Sequence, residues 1–259
     1  MTEQRCTIGL VIPAYNEANR IEKTVGEVVE YLRSQPYAWK VLVVDDGSAD
    51  STPAIVRSLM KTIPELELLA NDHRGKAYAV RAGVLATKAD FVIFSDADLS
   101  VPITELERLM SRLRAGASVV IGSREAKGAR RIGEPSYRHV MGRVFSLFYR
   151  ALILPGVQDA QCGFKGFRID VARALFSSLL LYGDKAPVVK GGMVTGFDVE
   201  LLFLARRWGF VVEEVPVDWY YGSGSKVRPT RDVPKMVFDV WRIRWFALTG
   251  RYARSYQKG

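Results

Sequence analysis

The first half of the chain alternates short apolar runs with stretches whose apolar residues recur at helical spacing. The runs at 8–12, 40–44, 66–69, 91–95 and 118–121 read as strands. Between the first two, Ile21, Val25, Val28 and Leu32 fall on one helical face. A second helix is predicted over 52–60, with Pro53 near its start, where a missing N–H removes no helical hydrogen bond. A third follows strand three to about Ala86, and a fourth spans 102–113. Strands alternating with helices predict an α/β fold on a parallel sheet with right-handed crossovers. The second half is less regular. Helices are predicted at 137–154, from Val171 and at 197–208, with strands at 164–169 and 210–217. Loops are expected at 183–192 and, rich in Gly, Ser, Lys and Arg, at 220–234. A basic helix rich in aromatic residues is expected from Pro234 onward.

Ligands on parallel sheets sit at the carboxyl ends of the strands. Polar residues collect at four of those ends. Pro13, Ala14, Tyr15, Asn16 and Glu17 follow strand one, and Asp45, Asp46, Gly47 and Ser48 follow strand two. Asp96, Ala97 and Asp98 follow strand four, and Ser123 and Arg124 follow strand five. Each group alone reads equally well as a turn or a helix cap, and Ser48 and Asp50 are good cap types. Together they define one crevice. Asp96 and Asp98 carry the sharpest chemistry. In an extended chain positions i and i+2 point the same way, so the pair would form a small anionic claw. Oxygen ligands without Cys or His suit a hard cation, Mg²⁺ or Mn²⁺, bridging to a diphosphate. A turn with two solvated carboxylates is the alternative.

Composition narrows the partners. The 259 residues suffice for one large α/β domain or two small ones. A net charge of +9 implies an anionic partner, such as nucleic acid, a phosphorylated substrate or a membrane surface. Cys6 and Cys162 form no CxxC pair, which argues against a zinc site or disulfide framework and fits a reducing compartment. No basic segment followed by a long apolar run opens the chain, so no signal peptide is expected. No uncharged run approaches the ~18 residues of a spanning helix, so any membrane role is expected to be peripheral.

Several motifs, taken together, resemble family 2 glycosyltransferases with the GT-A fold. They are Val11-Ile12-Pro13-Ala14-Tyr15-Asn16-Glu17, Val43-Val44-Asp45-Asp46-Gly47-Ser48, Arg74-Gly75-Lys76, Asp96-Ala97-Asp98, Gln161-Cys162-Gly163-Phe164-Lys165 and Ser225-Lys226-Val227. Within that family the chain is most similar to the dolichyl- and polyprenyl-phosphate sugar synthases, especially the dolichyl-phosphate β-glucosyltransferase branch. The segments 161–165 and 225–227 carry the narrower likeness. The resemblance implies a Rossmann-like, mainly parallel sheet with flanking helices. It also implies metal-dependent, inverting transfer of a hexose, glucose from UDP-glucose, to a polyprenyl or dolichyl phosphate. GDP-mannose and UDP-N-acetylglucosamine stay open as donors, as does a soluble enzyme with a hydroxyl acceptor.

The same resemblance assigns roles. Pro13, Ala14, Tyr15 and Glu17 would line the donor site, with Tyr15 against the nucleobase and Glu17 at the ribose or base. Asp46 would accept a hydrogen bond from a base N–H. Lys76, opening a helix, would meet the diphosphate, since helix N-termini and cations favour phosphate. Asp98 would be the direct metal ligand. Asp96, with Ala97 beside it, would reach sugar or ribose as well as metal, and Ser100 would be a weak third ligand. Arg124, Lys226 and Arg228 would hold the acceptor phosphate, with Lys165 and Arg138 as second choices. Asp98, Asp198, Arg124 and Lys226 would be catalytic. A phosphate oxygen is already ionised, so Asp198 need not act as a base and would orient sugar hydroxyls or a cation; a hydroxyl acceptor would need it as the base. A structural charge at the start of the 197–208 helix is the alternative for Asp198.

A polyprenyl acceptor requires a membrane-facing surface. Region 124–150 holds seven Lys or Arg against two acids. Its helix carries His139, Arg143 and Arg150 near one stripe and Val140, Val144, Phe145, Phe148, Ala151 and Leu152 over much of the rest. Phe238, Trp241, Trp245 and Leu248 recur at spacings of three and four, flanked by Lys235, Arg242 and Arg244. Aromatics with basic neighbours fit an interfacial helix; a helix packed on the core or on a second copy is the alternative. The expected organisation is a catalytic domain over 1–233, including the amphipathic helix at 137–154, and a basic aromatic helix and tail over 234–259. Attachment is expected at the cytoplasmic face of a membrane, directly, through an anchoring subunit or as a homodimer. The aromatic stacking platform and recognition motifs of common nucleic-acid modules are missing, so no nucleic-acid partner is expected.

Overall fold

The computed structural model describes residues 6–183, 196–222, 229–252 and 256, with 229–233 described by their backbone alone. Strands β1 (Thr7–Ala14) and β2 (Ala38–Asp45) pair in parallel along their whole length, from Thr7 with Ala38 to Ala14 with Asp45. β3 (Leu66–Ala70) extends the pair beyond β2, and β4 (Phe91–Ser95) extends it beyond β1, both in parallel. The crossovers are α1 (Ile21–Arg33), α2 (Thr52–Leu59) and α3 (Lys76–Ala86). α1 buries Ile21, Val25, Val28 and Leu32, the face its spacing predicts, together with Thr24 and Val29. A 3₁₀ turn at Ile103–Glu105 and α4 (Leu106–Arg114) lead into β5 (Val119–Ser123).

The second half adds β6 (Arg130–Ile132), α5 (Ser136–Leu152), β7 (Phe164–Arg168) and α6 (Ile169–Ser177). It continues with α7 (Phe197–Arg207), β8 (Val212–Pro216), β9 (Asp218–Tyr220) and α8 (Pro229–Leu248). The seven-stranded sheet runs β3-β2-β1-β4-β7-β5-β8, and β6 pairs with β9 in a separate ribbon. β7 is antiparallel to both of its neighbours, β4 and β5. The sheet is therefore mostly parallel, as expected, but strand ends four and five are not adjacent. β7 starts where β4 stops, with Phe164 opposite Ser95, so residues 161–163 stand between the two polar ends.

Two further expectations are corrected. The ribbon strands β6 and β9 lie in segments that read as a basic run and the edge of a loop. In their register Arg130 stands opposite Asp218, and the two side chains form an ion pair. α8 begins at Pro229 rather than at Pro234. Both prolines suit a first helical turn, but Pro229 takes that place and Pro234 lies inside the helix. Residues 184–195, where most of the expected 183–192 loop falls, lie outside the described residues.

Strand alternation sorts side chains into two cores. Leu10 and Ile12 of β1, Val41 and Val43 of β2 and Ile93 of β4 pack toward α1 and α4. Val11, Leu42, Val44, Val92 and Phe94 pack toward α3, α5, α6, α7 and α8. α3 lies so close to the sheet that a methyl at Gly83 would be 2.5 Å from Val11 Cγ1. α8 contributes Met236, Val240, Ile243 and Phe246 to this second core. Burying four such side chains contributes roughly 6–12 kcal/mol, so α8 is integral to the fold.

Beside that core, Glu200 of α7 is fully buried. It accepts hydrogen bonds from the N–H groups of Leu180 and Leu181 (2.7 and 3.1 Å) and from the Tyr252 hydroxyl (2.8 Å). Burial raises its pKa from 4.5 to about 7, and these bonds only partly oppose the rise. A carboxyl whose folded pKa is raised favours folding most below its unfolded pKa. That advantage drains away as pH climbs from about 4.5 to 7 and is gone above. The shift corresponds to roughly 3 kcal/mol. Urea unfolding at pH 5 and pH 8 is expected to show wild type losing stability relative to Glu200→Gln over this interval. A constant difference between the two proteins would contradict the raised pKa.

Candidate active site

The loops after β1 and β2 are knitted together before any ligand arrives. Asn16 adopts a left-handed conformation, φ 52°, tolerable for Asn. Its N–H donates to Ser48 Oγ (2.9 Å), and its Oδ1 accepts from the Ala49 N–H (2.9 Å). The Glu17 N–H donates to Thr52 Oγ1 (2.8 Å) and the Ala18 N–H to Asp50 Oδ2 (3.0 Å). Neither Ser48 nor Asp50 is the N-cap residue of α2, which is Ser51; they tie the two loops together instead. They set the path of the segment that carries Pro13, Ala14, Tyr15 and Glu17 along the crevice wall.

Tyr15 stacks flat on His73, with ring centroids 3.8 Å apart and an interplanar angle of 0°. His73 Nδ1 lies 2.7 Å from Asp46 Oδ2. Asp46 also accepts from the N–H groups of Arg74 (3.0 Å) and Gly75 (2.9 Å). Besides the base contact expected of it, Asp46 therefore has a structural task. The buried carboxylate holds residues 73–75, where Gly75 turns with φ 93° into α3. His73 escaped the sequence reading. Its usable signal was position: one of two histidines in the chain, directly before Arg74-Gly75-Lys76.

The two carboxylates after β4 do face one cavity, but not by strand alternation. β4 ends at Ser95 and the chain turns, with the Leu99 N–H donating to Asp96 O (3.1 Å). Leu99 sits at φ 45°, a costly conformation for a bulky side chain and one that concentrates at functional sites. Three bonds hold the turn. Thr24 Oγ1 of α1 donates to Ala97 O (2.6 Å), the Tyr220 N–H to Ser100 O (2.7 Å), and the Ser100 N–H to Asp98 Oδ1 (3.0 Å). Asp96 is ion-paired with Lys76. Burial disfavours the charged form of Lys76, but Asp96, Asp198 and Asp98 outweigh it and raise the lysine pKa. Gly163 makes room: a methyl there would lie 2.1 Å from Asp96 Oδ2.

The cations expected for the acceptor part company. Arg124 lines the cavity, but its Nε and Nη2 donate to the two oxygens of Asp159, each at 2.7 Å, and it lies 5.4 Å over the Trp219 ring. Burial raises the Asp159 pKa, but Arg124 outweighs it and brings the value down to about 2. Lys165 is corrected more fully. Two residues before Phe167 on the same strand, it points into the α7 side of the sheet and is 0% exposed. Its Nζ donates to Asp198 Oδ1 (2.6 Å) and to Cys162 O. It supports Asp198, which lines the cavity from the first turn of α7. Burial, then Asp159, pushes the Cys162 thiol up to about 12, so it stays neutral. Arg138 lines the cavity over the Tyr221 ring at 5.2 Å. Arg131, absent from the sequence reading, lines it too, bonded to Glu134 Oε2 at 2.7 Å. Lys226 and Arg228 lie outside the described residues.

One cavity of about 450 Å³ takes its wall from most of these elements, though Lys165 and Cys162 stay behind that wall. Its lining joins the Tyr15, His73 and Asp46 cluster, the Lys76–Asp96 pair, Asp98, Ser100 and Asp198, and the apolar side chains Met141, Phe145, Tyr149 and Met236. Among the described residues, no three His, Cys, Asp or Glu side chains form a metal cluster. Two carboxylates and a hydroxyl nonetheless fit Mg²⁺ or Mn²⁺, which take few protein oxygens when substrate phosphates and water supply the rest.

Residues 10–176 match the model of glycosyl transferase family 2, and the chain belongs to that family. It is 31% identical to a dolichyl-phosphate beta-glucosyltransferase of Trichomonas vaginalis over 252 residues, 93% of this chain and 71% of the relative. It is 29% identical to the human dolichyl-phosphate beta-glucosyltransferase, over 95% of this chain and 77% of that one. Among solved structures it resembles glucosyl-3-phosphoglycerate synthase of Mycobacterium tuberculosis, crystallised with Mn²⁺, UDP and glucosyl-3-phosphoglycerate. That match has a TM-score of 0.63 at 20% identity, covering 95% of this chain and 80% of the other. The fold is thus that of the glycosyltransferases, and the chain is a glycosyltransferase.

Gly163→Ala is expected to displace Asp96 while leaving the sheet intact. Titration calorimetry should then show Mn²⁺-dependent UDP binding weakened by about tenfold or more. Unchanged binding in a folded variant would show that Asp96 does not contribute to the donor site.

Proposed function

We propose that this glycosyltransferase moves glucose from UDP-glucose to a polyprenyl or dolichyl phosphate at a membrane surface, with inversion. The observation that carries this reading is the mixed wall of one cavity. Polar groups suited to a nucleoside diphosphate, with Asp96 and Asp98, line the same space as apolar side chains of α5 and α8. The names of the curated relatives support glucose and dolichyl phosphate as the transferred sugar and acceptor.

The chemistry needs no strong base. An oxygen of the lipid phosphate, ionised at neutral pH, attacks the anomeric carbon. The bond from that carbon to the diphosphate oxygen breaks, and the nucleoside diphosphate leaves with the electron pair. Asp98, with Asp96 and Ser100, would hold a Mg²⁺ or Mn²⁺ that offsets charge on the departing diphosphate. Lys76 and the N-terminus of α3 stand beside the same position. Asp198, with Oδ1 committed to Lys165, orients the sugar. Arg131 and Arg138 line the cavity and, with Arg124, Lys226 and Arg228, hold the acceptor phosphate in this reading. Trp219 and Tyr221 line it beside Arg124 and Arg138.

The membrane surface is read from two helices. α5 and α8 pack on each other, and each turns an apolar row outward. Tyr137, Val140, Val144 and Leu147 are exposed on α5, and Phe238, Trp241, Trp245 and Leu248 on α8, all between 55% and 69%. Both rows follow the spacing i, i+3, i+7, i+10. Arg143, Arg242 and Arg244 are exposed on the same helices, and basic side chains near anionic lipid add roughly 1 kcal/mol each. Among the described residues no helix is long and apolar enough to cross a membrane. Peripheral attachment therefore fits, and the free thiols Cys6 and Cys162 fit a cytoplasmic face. Residues 1–233 then hold most of the transfer machinery, while 234–259 add Met236 to the cavity wall and supply much of the lipid-facing row; an anchoring subunit or a second copy would strengthen attachment.

Labelled sugar offered as UDP-glucose, GDP-mannose or UDP-N-acetylglucosamine with a short polyprenyl phosphate tests the reading. Product is expected from UDP-glucose with Mg²⁺ or Mn²⁺, lost with EDTA and in Asp98→Ala. Donor binding without product would move the acceptor to a hydroxyl compound and make Asp198 the base. Separately, the double variant Trp241→Ser and Trp245→Ser is expected to bind anionic vesicles about tenfold more weakly or worse. Its rate on a detergent-dispersed short-chain acceptor should be little changed. Undiminished vesicle binding would remove α8 from the membrane surface.

A further inference from the structure

Asp239 lies on the inner side of α8, 2% exposed, and lines no part of the cavity. Its Oδ2 accepts a hydrogen bond from the Tyr182 hydroxyl and another from the Gly196 N–H (3.3 Å). Gly196 is the residue before α7, and its carbonyl accepts from the N–H groups of Val199 (3.0 Å) and Glu200 (3.2 Å). The peptide held by Asp239 is thus part of the first turn of α7, two residues before Asp198. The approach is close. A methyl at Gly196 would lie 3.2 Å from Asp239 Cβ.

We infer that Asp239 is a positioning residue for Asp198. The inference rests on the proposed function above, in which Asp198 meets the donor sugar. Two constraints then fix that carboxylate. Lys165 holds its oxygen from the sheet, and Asp239 holds its backbone from α8. Neither is sufficient alone, because a lysine contact leaves the helix free to pivot and a backbone contact leaves the side chain free to rotate. Asp239 also joins Tyr182 to Gly196, so one oxygen gathers the chain on both sides of residues 184–195. Glu200 repeats the tie one turn along α7, through Leu180, Leu181 and Tyr252. The start of α7 is therefore set against a built frame. A carboxylate buried at the end of a hydroxyl and an amide is otherwise a costly choice beside an apolar core.

The test is a kinetic cycle on the full chain with donor sugar and a short polyprenyl phosphate. Asp239→Ala is expected to lower kcat by about tenfold to a hundredfold, with donor KM within about twofold, as small misplacements of a reacting group do. Asp239→Asn, which keeps an acceptor oxygen, is expected to restore most of that rate. Active-site concentration is taken from UDP binding stoichiometry, so partial unfolding does not register as lost kcat. The deciding comparison adds Asp239→Ala to Asp198→Asn, which should cost nothing further. A merely structural Asp239 would add its full loss on either background, and that result overturns the inference, as does an unchanged kcat in Asp239→Ala. Should Asp239→Ala fail to fold, Tyr182→Phe removes one hydroxyl from the same oxygen. It should lower kcat in wild type but not in Asp198→Asn, and additive losses would again overturn the role. Wild type that transfers no sugar to any acceptor defeats the functional reading itself, and this inference with it.

Discussion

The site depends on one antiparallel strand set into an otherwise parallel sheet. Because β7 begins where β4 ends, it brings Gly163 against Asp96 and sends Lys165 through the sheet to Asp198. A parallel strand in this place would start at the opposite edge, and neither contact would form. The compact segment 161–165 thus couples the carboxylate after β4 to the carboxylate that opens α7. Its glycine is required by space: no side chain fits beside Asp96 Oδ2.

Around that strand the cations are answered by carboxylates. Lys76 meets Asp96, Lys165 meets Asp198, and Arg124 meets Asp159. Buried ion pairs contribute little net stability, because desolvation offsets much of their attraction, but they specify geometry. Here the Lys165–Asp198 and Arg124–Asp159 pairs fix Asp198 and Arg124 on the cavity wall, and the more exposed Lys76–Asp96 pair lies on the same wall. Attraction for an anionic ligand then comes from the surplus of basic charge over the whole chain and from the helix start at Lys76.

α5 and α8 face two ways. Phe145 and Tyr149 of α5, and Met236 of α8, reach the cavity, while rows of the same helices stay exposed. A lipid-linked substrate needs such a border, where the phosphate meets polar groups and the chain never crosses open water. The exposed aromatics on α8 are also neighbours in sequence of Asp239, so the helix proposed to meet lipid also bonds to the start of α7.

Much of this was legible in the chain. Period-two and period-3.6 patterns located β1 to β5 and α1 to α4, because burial on a sheet face or a helix stripe writes itself directly into residue spacing. Polar residues at strand ends marked Tyr15, Asp96 and Asp98 as residues of one crevice, and the family resemblance added Lys76. The apolar row on α8 was visible at positions 238, 241, 245 and 248, and the structure leaves it exposed while burying the opposite face. What a side chain would touch was not written there. Asp46 turned to His73 and the 73–75 backbone, Lys165 to Asp198, and Arg124 to Asp159. Each of these partners lies 27 to 35 residues away along the chain. The sequence by itself determined which residues are apolar, charged or turn-forming, and hence the elements and the candidate chemistry, since those depend on local spacing. Strand direction at β7 and the pairing of distant charges were decided only by tertiary structure, because they depend on which surfaces meet once the sheet has closed.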